Sequence, residues 1–203
     1  MEATAPSERT RVRRLPQRAA YDRETIYAIL DTAFVCHVGL VLDGRPVVIP
    51  TAYARVDDAV ILHGSTKSGL VLALGAGAEA CITVTHVDGF VMARSAFHHS
   101  INYRSVVLFG SGEAITDEAA KDAALLAFME RLHPGRWKTV RPPTSQELRA
   151  TGVVRVPIVE ASAKIRTGGP IDDPEDMTRD VWAGVVPLAL DRGIPIPDVP
   201  HGG

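Results

Sequence analysis

The sequence predicts a mainly β fold, a small antiparallel barrel with a few flanking helices. Short runs rich in β-branched residues recur along the chain, each bounded by turn residues. Two Asp-Gly pairs, Asp43 with Gly44 and Asp88 with Gly89, are hairpin signals, because both central positions of such turns take positive φ. Strands do not alternate regularly with helices, which excludes a parallel, doubly wound sheet. With 203 residues, 46% of them hydrophobic, the chain can bury one sizeable core.

The elements follow in order. Residues 1–20 carry Arg9, Arg11, Arg13, Arg14 and Arg18 with no hydrophobic period, so a flexible, solvated tail is expected. Asp22 reads as an N-cap, and Ile26, Ile29, Leu30 and Ala33 recur at helical spacing, predicting a helix over Arg23–Thr32. Residues 34–42 and 47–53 read as the first hairpin, and Pro50 marks the second strand as an edge or a bulge. Residues 59–62 are expected to complete a three-strand meander. A polar turn from His63 to Gly69 leads into a helix over 70–74, capped by Gly75, Ala76 and Gly77.

Residues 80–87 alternate as a strand, turn at Asp88 and Gly89, and continue as strands over 90–97 and 102–114. Asp117 opens the strongest helix, Glu118–Leu132, with Ala120, Leu125, Phe128, Met129 and Leu132 on its apolar face. A Pro- and Arg-rich connection over 134–145, one helical turn over 147–150 and a long strand over 153–165 follow. An acidic loop over 168–180 precedes a terminal strand over 182–190, and a disordered tail is expected from 191. One folded domain over 21–190 is therefore expected.

A formal net charge of −2 points to neither nucleic acid nor an anionic membrane. No apolar run reaches the ~18 residues a membrane-spanning helix needs. The N-terminus lacks the apolar stretch of a secretory signal. Cys36 and Cys81 fall on separate strands and read as thiols in a reducing compartment, so a cytoplasmic location is expected.

The polar turn carries the clearest chemistry. A strand running directly into a helix leaves first-turn amides without helical partners, and the positive end of the dipole favours an anion. Ser65, Thr66 and Ser68 add hydroxyls and Lys67 an ammonium, the donors a phosphate takes. The alternative is an ordinary helix cap by Ser65 or Thr66. The order of residues is not that of a Walker A loop.

Several runs together resemble a known family: V-V-I-P-T (47–51), H-G-S (63–65), T-K-S-G (66–69), T-V-T-H-V-D-G (83–89) and A-R-S-A-F-H-H-S-I-N-Y-R-S-V-V-L-F-G (93–110). The chain resembles the pyridoxamine 5′-phosphate oxidase-like superfamily of FMN-binding split barrels over about residues 11–190. It is most similar there to the flavin-nucleotide-binding branch related to nitroimidazole-resistance (Nim) proteins. The resemblance implies a six-stranded antiparallel split barrel, and a homodimer that holds FMN at its interface. It implies that Thr66, Lys67 and Ser68 hold the flavin phosphate, with His63 and Ser65 beside them. The backbone of Val48, Ile49, Pro50 and Thr51 would run along the isoalloxazine. Tyr103, Arg104 and Ser105 would reach the flavin, and Trp182 would flank it.

The expected activity is flavin-dependent reduction of a small electrophile, a nitroaromatic or a quinone, with NAD(P)H as the candidate donor. The R-L-H-D-R type clamp of the oxidase itself is absent, so pyridoxamine 5′-phosphate is not the expected substrate. His63 and Arg104 are the catalytic candidates. His63 corresponds to a histidine discussed as reactive in Nim-like members, and Arg104 is a possible donor to reduced flavin. Two alternatives stand beside this reading. One is a haem-binding or haem-degrading split barrel with His98 or His99 as axial ligand. The other is a flavin-sensing module without turnover. His63, His86, His98 and His99 lack the spacing of a zinc site, and no structural metal is expected.

Overall fold

The structure, a computed structural model, describes residues 7–198. It divides into two compact units. Within the described residues the first comprises 7–86 and 103–166, the second 87–102 and 167–198.

The first unit is built of antiparallel sheets with flanking helices, the expected class. Its elements are β1 (Ala19–Ala20), α1 (Arg23–Thr32), β2 (Val35–Leu42), β3 (Arg45–Ala52), β4 (Ala54–Val56), β5 (Ala59–Ser65) and α2 (Gly69–Gly75). Then come β6 (Glu79–Met92), β7 (Ser100–Ser111), β8 (Glu113–Ile115), α3 (Glu118–Leu132), α4 (Ser145–Ala150), β9 (Thr151–Pro157) and β10 (Glu160–Arg166). β6 passes into the second unit after His86, and β7 enters the first at Tyr103. The larger sheet has the order β1-β10-β7-β6-β2-β3, the smaller β4-β5-β9-β8.

Local chemistry sets the elements read most closely. Asp22 Oδ1 accepts from Thr25 N at 2.8 Å and starts α1, and Asp117 Oδ2 accepts from Ala120 N at 2.8 Å and starts α3. Asp43 and Gly44 take φ of 50° and 74° and close the β2–β3 hairpin. β3, which contains Pro50, is the edge strand of its sheet.

The core lies between the two sheets: Leu30, Cys36, Val38, Val60, Leu62, Leu74, Ile82, Val106, Leu108 and Val156 belong to one buried cluster. Alternation splits β5 between two clusters. Val60 and Leu62 enter that core, while Ala59 and Ile61 join a second cluster with Ala124 of α3.

The structure corrects several expectations. Residues 59–62 do not extend the first hairpin, because the chain changes sheets between β3 and β4, and β5 pairs with β4 and β9. The run 153–165 is two strands in different sheets, separated where Ile158 N donates to Asp58 O at 2.7 Å. α3 buries Ala124 and Phe128, while Ala120 and Leu132 are exposed, so its apolar face is rotated from the expected one. Residues 7–18, expected as a solvated tail, are anchored on the larger sheet. Arg9 bonds Glu79 and Glu160, each at 2.5 Å, and its guanidinium lies 4.9 Å from the Phe109 ring centroid. The expected termini at 1–6 and 199–203 lie outside the described residues.

In the second unit, Asp88 and Gly89 do not turn. β6 runs straight through them and pairs with β11 (Gly184–Pro187), Gly89 opposite Pro187. A Cβ on Gly89 would lie 2.8 Å from Val186 O, so the glycine serves close backbone approach rather than a turn. The expected strand over 90–97 stops at Met92 and gives way to a 3₁₀ turn over Ala96–His98.

Candidate functional site

The polar turn is held by its flanks. Gly64 of β5 faces Gly152 of β9 in register. A Cβ on Gly64 would approach Val71 of α2 to 3.2 Å, and one on Gly152 to 2.4 Å. This paired notch lets α2 sit down on the smaller sheet and fixes where the turn emerges. Gly152 was missed in the sequence because its role depends on the cross-strand partner. Thr66 N donates to Ala150 O at 3.0 Å, Ser68 N to Ser65 O at 2.9 Å, and Lys67 N to Ser65 Oγ at 3.2 Å.

Those bonds fold the backbone and leave side-chain donors facing outward. Ser68 is the N-cap of α2 and makes no side-chain cap bond, so the cap is neither Ser65 nor Thr66. Ser65, Thr66 and Lys67 are exposed, and the Lys67 ammonium has no ion pair among the described residues. The turn also meets the β2–β3 hairpin: a Cβ on Gly69 would lie 3.9 Å from Leu42 Cδ1, next to the tip from which β3 starts. On β3, Val48 and Pro50 are exposed, and Ile49 and Thr51 are half-buried.

Tyr103, Arg104 and Ser105 lie on β7 opposite Arg166, Ile165 and Lys164 of β10, and Ser105 Oγ donates to Lys164 O at 3.2 Å. All three are half-buried. Burial and the neighbouring Arg18 push the Arg166 guanidinium below its ordinary value. Trp182 belongs to the second unit, where it is exposed and packs beside Gly184.

His63 stands apart from the turn. Strand alternation turns it toward α3, where its ring meets Phe128 edge-on at 4.4 Å. Its Nδ1 is buried without a partner, and neither ring nitrogen bonds any described residue. Burial holds its pKa below the ordinary imidazole value. The ring lines a cavity of about 370 Å³ walled by Leu125, Phe128, Met129, Trp137 and Val140. Arg141 and Glu147, both largely exposed, stand at its mouth and pair at 2.7 and 2.5 Å. The Arg141 guanidinium holds the Glu147 carboxyl down to about 2. Trp137 lies in the stretch read only as a Pro- and Arg-rich connection. A tryptophan in so polar a segment was the available signal.

His98 and His99 lie in the second unit. His98 Nε2 is 3.1 Å from Asp173 Oδ2, and His99 Nδ1 is 2.9 Å from Ser95 O. The Asn102 amide donates to Gly168 O at 3.1 Å. Asp172 accepts from both the amide and the guanidinium of Arg94 at 2.9 Å, tying the acidic loop to residue 94. Among the described residues no group of three or more His, Cys, Asp or Glu could hold a metal ion, and no helix is long and apolar enough to cross a membrane.

A model of the pyridoxamine 5′-phosphate oxidase family matches residues 22–165. No curated protein matches the chain. Among solved structures, the flavocytochrome Anf3 from Azotobacter vinelandii is 45% identical, with a TM-score of 0.91 over 98% of this chain and 92% of its own. The FAD and heme binding protein from Mycobacterium smegmatis is 40% identical, with a TM-score of 0.86 over 92% of this chain and 91% of its own. A protein of Bacteroides thetaiotaomicron assigned to 5-nitroimidazole antibiotic resistance is 25% identical, with a TM-score of 0.61 over 72% of this chain and 86% of its own.

Proposed function

The chain belongs to the pyridoxamine 5′-phosphate oxidase family, and from that premise we propose that it is a flavin-dependent redox protein that also carries haem. The observation that carries this reading is the near full-length similarity, at 45% and 40% identity, to a flavocytochrome and to a FAD and heme binding protein. Flavin and haem, set against each other in the sequence analysis, are thus proposed together. When bound, the flavin supplies hydride and electron transfer, and the haem electron transfer or oxygen chemistry.

The donor set of the polar turn fits a flavin phosphate. Lys67 offers a cation with no ion pair among the described residues and Ser68 a hydroxyl that makes no cap bond, at the N-terminus of α2. FMN and FAD share that phosphate, and FMN is the smallest ligand this turn requires. Val48, Ile49, Pro50 and Thr51 would present backbone along the ring system. Tyr103, Arg104 and Ser105 complete the proposed set, and Arg104 would stabilise charge on the reduced flavin. The protein would act as a homodimer with flavin between its subunits. It would take hydride from NAD(P)H and pass it to a small nitroaromatic or quinone rather than oxidise pyridoxamine 5′-phosphate.

Anaerobic addition of NADH or NADPH, followed by a quinone or a nitroaromatic, tests the activity. Bleaching of the flavin band by the donor and its return with the acceptor is expected. A flavin that neither donor reduces, in protein that retains it, would favour the sensing module and contradict the reductase reading.

A further inference from the structure

Six of the seven histidines fall within the described residues, and five of these are committed or exposed. His86 Nε2 is 3.1 Å from Ile29 O and 3.2 Å from Thr32 Oγ1, and His98 is bonded to Asp173. His37, His99 and His133 are exposed. His63 is neither exposed nor hydrogen-bonded to any described residue, and it lines a largely apolar cavity.

We propose that His63 is an axial ligand of the haem, and that the cavity between the C-terminal half of α3 and residues 137–147 receives the macrocycle. This assignment rests on the haem reading above and replaces His98 and His99 as the ligand candidates.

An axial imidazole needs a free nitrogen lone pair and a dry, apolar setting for the disc behind it. His63 has the first because no described group bonds either nitrogen. No carboxylate draws a proton onto it, since Glu147, the one carboxylate lining the cavity, is paired with Arg141. The second comes from Leu125, Met129, Trp137 and Val140, while Phe128 braces the imidazole edge-on. Nδ1 is enclosed, whereas Nε2, which no described residue bonds, is not, so Nε2 is the nitrogen that would meet the iron. His98 and His99, by contrast, sit beside Phe97, which is 89% exposed, on a 3₁₀ turn.

The test reconstitutes wild type, His63→Ala, His63→Met and His98→Ala/His99→Ala with hemin and records the absorption and electron paramagnetic resonance spectra. Wild type and the double variant are expected to give one common, nitrogen-ligated spectrum. His63→Ala should lose bound haem or change its spectrum, and free imidazole should restore it. His63→Met, which keeps an apolar filling of the site, should shift the spectrum instead of leaving it unchanged. Flavin content and circular dichroism report that each variant is folded. Wild-type spectra in both His63 variants would overturn the assignment while leaving the haem reading standing. Wild type that takes up no haem at all would overturn both.

Discussion

Lys67 and His63 are four residues apart, yet alternation and the turn send them to different chemistry. If Lys67 grips a flavin phosphate, Lys67→Ala should weaken flavin nucleotide binding by roughly 1–3 kcal/mol, about 5- to 150-fold. Riboflavin, lacking the phosphate, should bind both proteins poorly and alike. Titration with both ligands checks this, and equal losses for the two would place the phosphate elsewhere. The donors of the turn were legible because hydroxyls and lysine after a strand are a local pattern. The direction of the His63 ring was not, since it follows from which sheet β5 joins. His63 also carries a pH signature. Burial holds it below the ordinary 6.5, so the unfolded chain binds a proton at higher pH than the folded one. Its contribution to stability is complete above about pH 6.5 and is lost as pH falls toward the lower, folded value. Thermal midpoints of cofactor-free wild type should therefore drop on acidification more steeply than those of His63→Phe. Parallel slopes would mean that the ring is not shielded.

At the scale of elements, α1 and α3 were readable to their ends because Asp22 and Asp117 cap them through local bonds. Their tie to each other was not readable. Arg131 of α3 donates to Leu30 O at 2.6 Å and to Ala33 O, carbonyls at the end of α1, and Tyr53 Oη donates to the same Leu30 O at 2.5 Å. Arg131→Ala should cost roughly 1.5–3 kcal/mol in denaturant unfolding, because charged donors to buried carbonyls are lost. Glycines mark other hidden contacts. A Cβ on Gly112 would lie 2.4 Å from Leu74 O, a backbone atom of α2 that cannot rotate away. Gly112→Ala should destabilise by about 1–3 kcal/mol or more, while Gly193→Ala, with nothing within 4 Å, should stay within about 0.5. A Gly112 variant as stable as wild type would contradict the packing of α2 against the end of β7. Asp88 and Gly89 misled for the same reason: a hairpin signal is local, and the strand that needed the glycine comes almost a hundred residues later.

For the whole molecule, the antiparallel, mainly β class followed from strand runs and the missing βαβ alternation, whereas the change of sheets after Ala52 and after Pro157 did not. Both occur inside continuous apolar runs, where periodicity carries no mark of which sheet a strand joins. The second unit, with Trp182 and the Arg94–Asp172 pair, depends on contacts between residues 94 and 172 that no local pattern announces. Ala120, Ala123 and Ala124 of α3 line a cavity of about 300 Å³ against the smaller sheet, and Leu125, Phe128 and Met129 line the one of about 370 Å³ that His63 enters. The His63 cavity is the one that joins an idle nitrogen to apolar walls. The central claim, one chain holding both flavin and haem, is tested most directly by the absorption spectrum of the protein purified from cells supplied with both cofactors. The account predicts a flavin band and a Soret band together, each persisting through gel filtration. A colourless protein, or one that refuses flavin on reconstitution, would contradict it.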